Sequence, residues 1–227
     1  MANPAELLLA QFRQWQSPAG NESADMRRTP TADGWVRHRV AVRHLEAITQ
    51  LLDELAAAGR NVGVYKRYIP SWWAVIFVHP GGWASGGSAN IDVGVLEHLE
   101  TLADLLGNYV PAVKEGGLGE VSQYADLVAK TLADDDEVPD ALRLHAMEVV
   151  AHLRWCVDNY AIAGDFELQD ALERLAATVL RVTIHSSEEN RSTMWGPVMS
   201  SWVWPFVTNI VSAIPASALT MLALGAG

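Results

Sequence analysis

Hydrophobic residues recur at helical spacing in several separate stretches of this 227-residue chain. The clearest stretch covers residues 35–58, where apolar side chains three and four positions apart lie opposite a polar stripe. This pattern is typical of a helix that packs one face against a core. The predicted core positions of this helix are Val40, Leu45, Ala47, Ile48, Leu51, Leu52 and Leu55.

The same spacing predicts further helices, separated by segments rich in turn-forming residues. They cover residues 5–15, 91–110, 120–133, 140–163 and about 166–185. Because the connections between the later helices are short, neighbouring helices are expected to pack antiparallel. The predicted fold class is therefore all-α, an up-and-down multi-helix bundle followed by a C-terminal apolar helical tail.

Residues 62–78 fit two structures. Pro70 cannot lie deep in a straight helix without removing a hydrogen bond, but it can begin a second short helix over residues 71–78. The run WWAVIFV at 72–78 also fits a buried strand, because so short an apolar run has no diagnostic period. Since nothing nearby resembles a partner strand, the helical interpretation is favoured, with residues 80–88 as a flexible loop.

No charged side chain follows Arg191. Residues 198–224 are long enough to cross a bilayer, which takes about 20 apolar residues. Two prolines and several polar residues interrupt this stretch, which opposes a simple spanning helix. The tail therefore has three alternatives: packing into the core, forming a subunit interface, or contacting a membrane. Small residues near its end permit close helix packing in the last two cases.

The pattern divides the chain into an N-terminal helix (1–16), a loop or mobile linker (17–34), a helical bundle domain (35–190) and the apolar tail (191–227). The linker assignment depends on its prolines, glycines and other turn-forming residues.

The net charge of −11 opposes a large nucleic-acid interface, which needs a basic face. Cys156 is the single cysteine, which rules out an intrachain disulfide and favours a reducing compartment. The first 15 residues have Glu6 in their apolar stretch and no basic segment before it, so no secretory signal is expected. We expect a cytoplasmic location, with membrane association through the tail as the alternative.

Candidate metal ligands occur at helical spacing in the predicted helix over 140–163. His145, Glu148, His152 and Cys156 follow one another at steps that place them along one stripe. Neighbouring His and Glu pairs build metal sites in helical bundles when a second helix adds ligands, and Zn²⁺ suits His and Cys. All four cannot bind one ion, because His145 and Cys156 are about 16 Å apart along a helix. The ordinary alternative is that these histidines make structural hydrogen bonds.

His44 completes the candidate metal set of His145, Glu148, His152 and His44. It lies near the middle of the apolar face of the 35–58 helix, where a histidine with satisfied hydrogen bonds is the common case. Apart from this zinc hypothesis, no cofactor is expected.

Two further patterns concern contacts rather than chemistry. Residues 134–137 (DDDE) are interpreted as a solvated acidic turn. Tryptophan is enriched at protein interfaces and at the membrane headgroup level. The predicted membrane or partner contacts are Trp72, Trp73, Trp83, Trp195, Trp202 and Trp204.

No motif names a reaction. The leading hypothesis is a non-enzymatic helical interaction protein that binds a protein partner or forms a homo-oligomer, with its tail contacting a membrane or acting on one. The alternative is a metal-dependent helical-bundle hydrolase that uses the His and Glu ligands.

Overall fold

A computed structural model describes residues 3–77, 82–202 and 205–207. These residues are mostly helical, which confirms the all-α prediction. The chain divides into two compact units, Ala2–Asn108 and Tyr109–Gly227. The boundary falls inside the 35–190 segment that the sequence pattern assigned to one bundle.

The described residues of the N-terminal unit form five helices: α1 (Pro4–Trp15), α2 (Ala24–Arg28), α3 (Ala32–Ala57), α4 (Gly63–Phe77) and α5 (Val93–Leu106). Helix α1 packs on α3 and α5, and α4 packs on the same two helices. The unit therefore has one shared core. Its largest fully buried side chains are Leu8, Phe12, Leu45, Ile48, Leu52, Trp72, Ile76, Leu99, Leu102 and Leu106.

Helix α1 begins with a capping box that also joins it to α5. The Asn3 side chain accepts hydrogen bonds from the backbone N–H groups of Ala5 and Glu6, and the Glu6 carboxylate accepts one from the Asn3 backbone. The Asn3 amide also donates to the carbonyl of Ala103 at 2.9 Å. One residue thus satisfies the start of α1 and fixes its position on α5.

The structure corrects the interpretation of residues 17–34 as a loop or mobile linker, because part of the segment is helical and buried. They contain α2, and Ser17, Ala24 and Arg28 are buried. The backbone N–H of Ser17 donates to the Ala89 carbonyl, and that of Ala24 donates to the Ser88 hydroxyl. These long-range hydrogen bonds hold the turn-rich segment against residues 88–89.

Residues 63–77 form one helix, so the helical alternative for this stretch is confirmed and the predicted break at Pro70 is wrong. Pro70 is exposed. Water can hydrate the carbonyl that the proline leaves unpaired, which makes a proline inside a surface-lying helix tolerable.

The C-terminal unit is built on three long helices: α6 (Gly117–Asp134), α7 (Asp140–Asp158) and α8 (Tyr160–His185). Helix α7 packs on both α6 and α8. The short elements that follow are α9 (Glu188–Asn190), a π-helical turn (Arg191–Trp195) and α10 (Gly196–Ser200). Strand β1 (Ala112–Val113) pairs antiparallel with β2 (Phe206–Val207).

The predicted break near residue 164 is present as a kink inside α8. Gly164 has φ 75° and ψ −175°, a backbone conformation that is essentially open to glycine alone. The predicted helix over 140–163 also ends earlier than expected, because α7 stops at Asp158 and α8 begins two residues later.

The first part of the predicted tail belongs to the core of the C-terminal unit. Trp195 and Val198 are fully buried, and Phe206 is 5% exposed. Most of the 198–224 stretch lies outside the described residues, so its structure is not assigned. Within the part of the chain that the structure describes, no helix combines the length and apolar character needed to cross a membrane.

Candidate functional sites

Three side chains with metal-binding atoms converge between α7 and α8. His152 and Cys156 lie one turn apart on α7, and Glu167 approaches them from α8. The His152 Nε2 atom is 3.4 Å from Glu167 Oε1 and 3.9 Å from Cys156 Sγ. One ligand atom from each of the three residues lies within 4.8 Å of the others, the single such grouping among the described residues. This cluster is called the HCE cluster below.

Local structure explains how the HCE cluster forms. The spacing of four between His152 and Cys156 places both side chains on one face of α7. Glu167 lies three residues after the Gly164 kink, in the turn where α8 resumes along α7. The His152 ring is nearly parallel to that of Trp155, with an interplanar angle of 9°.

The HCE cluster spans the edge of the core. Cys156 is fully buried among the apolar side chains of the C-terminal unit. The side chains of His152 and Glu167 are 23% and 17% exposed. The cluster therefore has a dry thiol on its inner side and a rim that water can reach.

Of the four predicted metal ligands, only His152 belongs to the one metal-ligand grouping among the described residues. His152 belongs to the HCE cluster, whereas His145 and Glu148 are exposed and lie outside it. His44 is buried in the N-terminal unit, as its place on the apolar face of the 35–58 helix predicts. The sequence pattern did not identify Glu167. This residue lies on a different helix from His152, so the separation of the two along the chain does not follow helical spacing.

The N-terminal unit buries a cation against aromatic rings. The Arg28 guanidinium lies 4.2 Å from the ring centroid of Trp15 and 5.3 Å from that of Trp83. It donates hydrogen bonds to the Val75 carbonyl at 2.8 Å and the Ile76 carbonyl at 3.2 Å, at the C-terminal end of α4. Burial lowers the pKa of Arg28 to about 10, so the side chain stays charged at neutral pH.

His38 lies beside the same cation. Its ring contacts Trp15 at 4.7 Å and Trp83 at 5.2 Å between centroids. The Nε2 atom is 3.0 Å from the Ile76 carbonyl, and because a carbonyl only accepts, Nε2 carries the proton. Burial lowers the pKa of His38, the carbonyl contact partly raises it, and the charge of Arg28 lowers it further.

Two of the predicted contact tryptophans are core residues. Trp72 is fully buried and its indole N–H donates to the Val95 carbonyl at 3.0 Å. Trp195 is also fully buried and donates to the Asp135 carboxylate at 2.8 Å. A side chain with no exposed surface cannot form a membrane or partner contact, so the prediction is corrected for these two.

The other four predicted tryptophans remain candidate membrane or partner contacts. Trp73, Trp83 and Trp202 are half-buried, and Trp202 meets the ring of Tyr124 edge-on at 5.3 Å. Trp204 lies outside the described residues. For these four residues, contact with a membrane or partner stays a prediction.

Exposed apolar side chains, of which the sequence pattern identified only the half-buried Trp73 as a contact residue, lie on the helices around the C-terminal end of α4. Met26, Trp35 and Phe77 are 67%, 54% and 55% exposed, and Trp73 stacks on Phe77 at 5.7 Å. The helices that carry these residues, α2, α3 and α4, meet at the Ile76 carbonyl. Trp35 contacts His38, and His38 forms a hydrogen bond with the Ile76 carbonyl. Arg28, which lies on α2 together with Met26, donates to the same carbonyl. Met26, Trp35, Trp73 and Phe77 are called the aromatic surface below.

The acidic turn is not simply solvated, which corrects the prediction for its second residue. Asp135 has no exposed surface. Its carboxylate accepts hydrogen bonds from the indole of Trp195, the hydroxyl of Ser186, the amide of Asn190 and the backbone N–H of Glu137. Burial by itself raises the pKa of Asp135, but the four hydrogen bonds outweigh burial and lower it below its ordinary value.

Comparisons of the chain with family models, with curated proteins and with solved structures give no match.

Proposed function

We propose that this chain is a non-enzymatic helical interaction protein, and that its aromatic surface binds a second copy of the chain. The observation that carries the proposal is the exposure of Trp35 and Phe77, which are each more than half open to water. Exposed Trp and Phe side chains close together are typical of protein–protein contact sites.

Burial of this surface would favour association. Burying one large apolar side chain contributes about 1.5–3 kcal/mol. Trp and Phe also have few rotatable bonds, so little conformational entropy opposes their ordering in an interface. A contact centred on Trp35 and Phe77, with Met26 and Trp73 at its edge, would therefore have the character of a binding hot spot.

Charge favours a second copy as the occupant. Apart from the buried Arg28, residues 27–43 carry four arginines and one aspartate, a local net charge of +3, in a chain whose net charge is −11. Arg37 and Arg39 are exposed in this segment. A basic, aromatic surface is complementary to the acidic remainder of another copy, which adds specificity and speeds association at low salt.

The proposal also covers the remaining architecture: an up-and-down helical bundle that carries a C-terminal apolar tail. Its support is the absence of any charged side chain after Arg191. So long an apolar segment must be covered by core, partner or lipid. We assign it the role of strengthening attachment, to the oligomer or to a membrane that the protein contacts or acts on.

Sedimentation velocity of the full-length chain tests the proposal, at low and at raised salt concentration. We expect a species larger than the monomer that becomes weaker as salt rises. The double variant Trp35→Ser/Phe77→Ser should weaken self-association at least about tenfold, because hot-spot side chains contribute about 2 kcal/mol or more.

Ile184→Ser is the matched control, because Ile184 is 72% exposed but lies in the C-terminal unit. This variant should associate like the original chain. The proposal fails if the chain is monomeric, or if the double variant and the control behave alike. Flotation with phosphatidylglycerol vesicles adds an arm: a chain that floats with them yet stays monomeric binds a membrane instead of a second copy.

A metal-dependent hydrolase is the second candidate function. The HCE cluster favours this function. Catalytic zinc sites combine three protein ligands with one position open to water. The HCE cluster offers three ligand atoms beside a rim that water can reach. Its test is hydrolysis of a panel of activated esters and phosphoesters by the zinc-loaded chain. Glu167→Gln should abolish any activity that the HCE cluster supplies, and Glu148→Gln should not.

A further inference from the structure

We propose that His152, Cys156 and Glu167 bind one Zn²⁺ ion between α7 and α8. The ligand atoms are His152 Nε2, Cys156 Sγ and Glu167 Oε1, and a water molecule at the exposed rim completes the coordination. This site differs from the predicted set of His145, Glu148, His152 and His44 in every ligand except His152. It is independent of the proposed self-association.

The two separations measured from His152 Nε2 are close to those expected around a tetrahedral ion. With bonds of about 2.0–2.3 Å to nitrogen, oxygen and sulfur, tetrahedral geometry places nitrogen and oxygen about 3.4 Å apart and sulfur and nitrogen about 3.6 Å apart. The observed separations are 3.4 Å between His152 Nε2 and Glu167 Oε1, and 3.9 Å between Nε2 and Cys156 Sγ. The sulfur–nitrogen separation therefore exceeds the tetrahedral value by a few tenths of an ångström, and all three ligand atoms lie within 4.8 Å of one another.

The same separations fit a direct hydrogen-bond network less well. A good N–H···O hydrogen bond spans about 2.7–3.2 Å, and the His152–Glu167 distance of 3.4 Å is longer. The geometry also opposes a Cys–His–Glu nucleophilic triad. In such a triad the cysteine and the carboxylate use different ring nitrogens, whereas here both approach Nε2.

The chemistry of the three ligands selects the metal. A thiolate and an imidazole favour Zn²⁺ over Mg²⁺ or Ca²⁺, which prefer oxygen ligands. Thiolate and carboxylate together carry two negative charges, so the bound ion makes the cluster neutral. Neutrality matters because Cys156 is fully buried, and an uncompensated charge there would be costly. Binding releases the thiol proton of Cys156 to solvent, so affinity should rise with pH.

Titration of the metal-free, untagged full chain with Co²⁺ tests the site. Co²⁺ takes the place of Zn²⁺ and gives a thiolate-to-metal charge-transfer absorption that reports a bound cysteine. We expect this absorption to saturate at one Co²⁺ per chain and to be displaced by Zn²⁺. His152→Ala and Glu167→Gln should each weaken binding at least about tenfold, the lower end of the effect of changing even an outer-shell partner.

The controls lie on the same helix. His145→Ala and Glu148→Gln alter exposed residues of α7 outside the HCE cluster, and both should bind Co²⁺ like the original chain. Cys156→Ala should lose the charge-transfer absorption entirely. If Cys156→Ala does not fold, as judged by circular dichroism, the two partly exposed ligands decide the question. Absence of the absorption in the original chain, or equal affinity in the ligand and control variants, overturns the proposal.

Discussion

Each of the two units of this protein contains a buried charged side chain, and the two examples Arg28 and Asp135 have opposite sign and are stabilised by different groups. In the N-terminal unit, Arg28 is 5% exposed and lies over the rings of Trp15 and Trp83. In the C-terminal unit, Asp135 has no exposed surface, and its carboxylate accepts four hydrogen bonds from neutral donors.

The difference follows from the two side chains themselves. A guanidinium is weakly hydrated and planar, so aromatic faces and helix C-terminal carbonyls can replace its water. A carboxylate is compact and accepts hydrogen bonds only, so it needs several N–H or O–H donors at fixed positions. The cation can therefore be buried by a stack of rings, whereas the anion requires a set of aligned polar groups.

Removing the anion should have the largest effect. Asp135→Ala leaves the indole of Trp195 and the hydroxyl of Ser186 without their acceptor inside the core. We expect the free energy of unfolding to fall by about 3–5 kcal/mol, because each hydrogen bond to a charged group contributes about 1.5–3 kcal/mol. Urea unfolding measures the change. Asp136→Ala is the control, since Asp136 is exposed, and a similar loss in both variants would contradict a specific role for Asp135.

Removing the cation should cost somewhat less. Arg28→Met keeps a long apolar side chain between the rings but loses both carbonyl contacts and the cation–π interaction. The expected loss is about 2–3 kcal/mol. It is measured by hydrogen exchange in peptides of the N-terminal unit, with the exposed Arg39→Met as control. An unchanged exchange rate at the end of α4 would show that packing of a long side chain between the rings stabilises this region without the guanidinium.

Gly34→Ala tests whether the backbone near Arg28 is sterically constrained. A Cβ atom at position 34 would lie 2.0 Å from the Thr29 carbonyl oxygen and 2.8 Å from that of Arg28. We expect a loss of about 1–3 kcal/mol as the backbone shifts to relieve the overlap. Gly63→Ala is the control, because its Cβ would meet its nearest neighbour at 3.7 Å. Thermal unfolding of the two variants should differ accordingly.

The two units should also respond to acid in different pH ranges. The pKa of His38 is lowered in the folded protein, chiefly by burial, so the unfolded chain takes up this proton first as pH falls. Stability from His38 is therefore complete above its unfolded pKa of about 6.5 and is lost below it. The lowered pKa of Asp135 gives the same sign, but its stability is complete above about pH 3.9 and is lost only below that.

Hydrogen exchange as a function of pH, corrected for intrinsic exchange rates, separates the two responses. Between about pH 7 and 5, peptides around α2–α4 should lose protection, by less than about 1.4 kcal/mol per pH unit. In the same pH range, protonation of Asp135 should change the protection of peptides around α6–α9 very little. His38→Gln, which can still donate to the Ile76 carbonyl, should reduce the slope in the first group. An unchanged slope would assign the response to another group.

Sequence periodicity predicted the elements well where one face of a helix is buried. The 35–58 pattern placed Leu45, Ile48 and Leu52 in the core, and all three are fully buried. It also placed His44 on the apolar face, and this residue is 5% exposed. These predictions succeeded because a helix repeats every 3.6 residues, so burial of one face leaves a local record in the sequence.

The candidate site was only partly accessible to the same reasoning. The α7 stripe gave His152 and Cys156, but it also gave His145 and Glu148, which the structure leaves exposed. Glu167 could not be found, since its approach depends on the kink at Gly164 and on how α8 packs against α7. Spacing tells which residues share a helix face, but not which part of that face another helix covers.

The sequence by itself determined the helical elements, the main core positions and the charge-free character of the chain after Arg191. Only the tertiary structure decided the fate of the polar groups. Asp135 looks solvated in its acidic turn, yet it binds Trp195, sixty residues further along the chain. Arg28 looks like part of a loop, yet it binds the end of α4. Such pairings join distant segments, whose separation along the chain carries no period and therefore leaves no local signal.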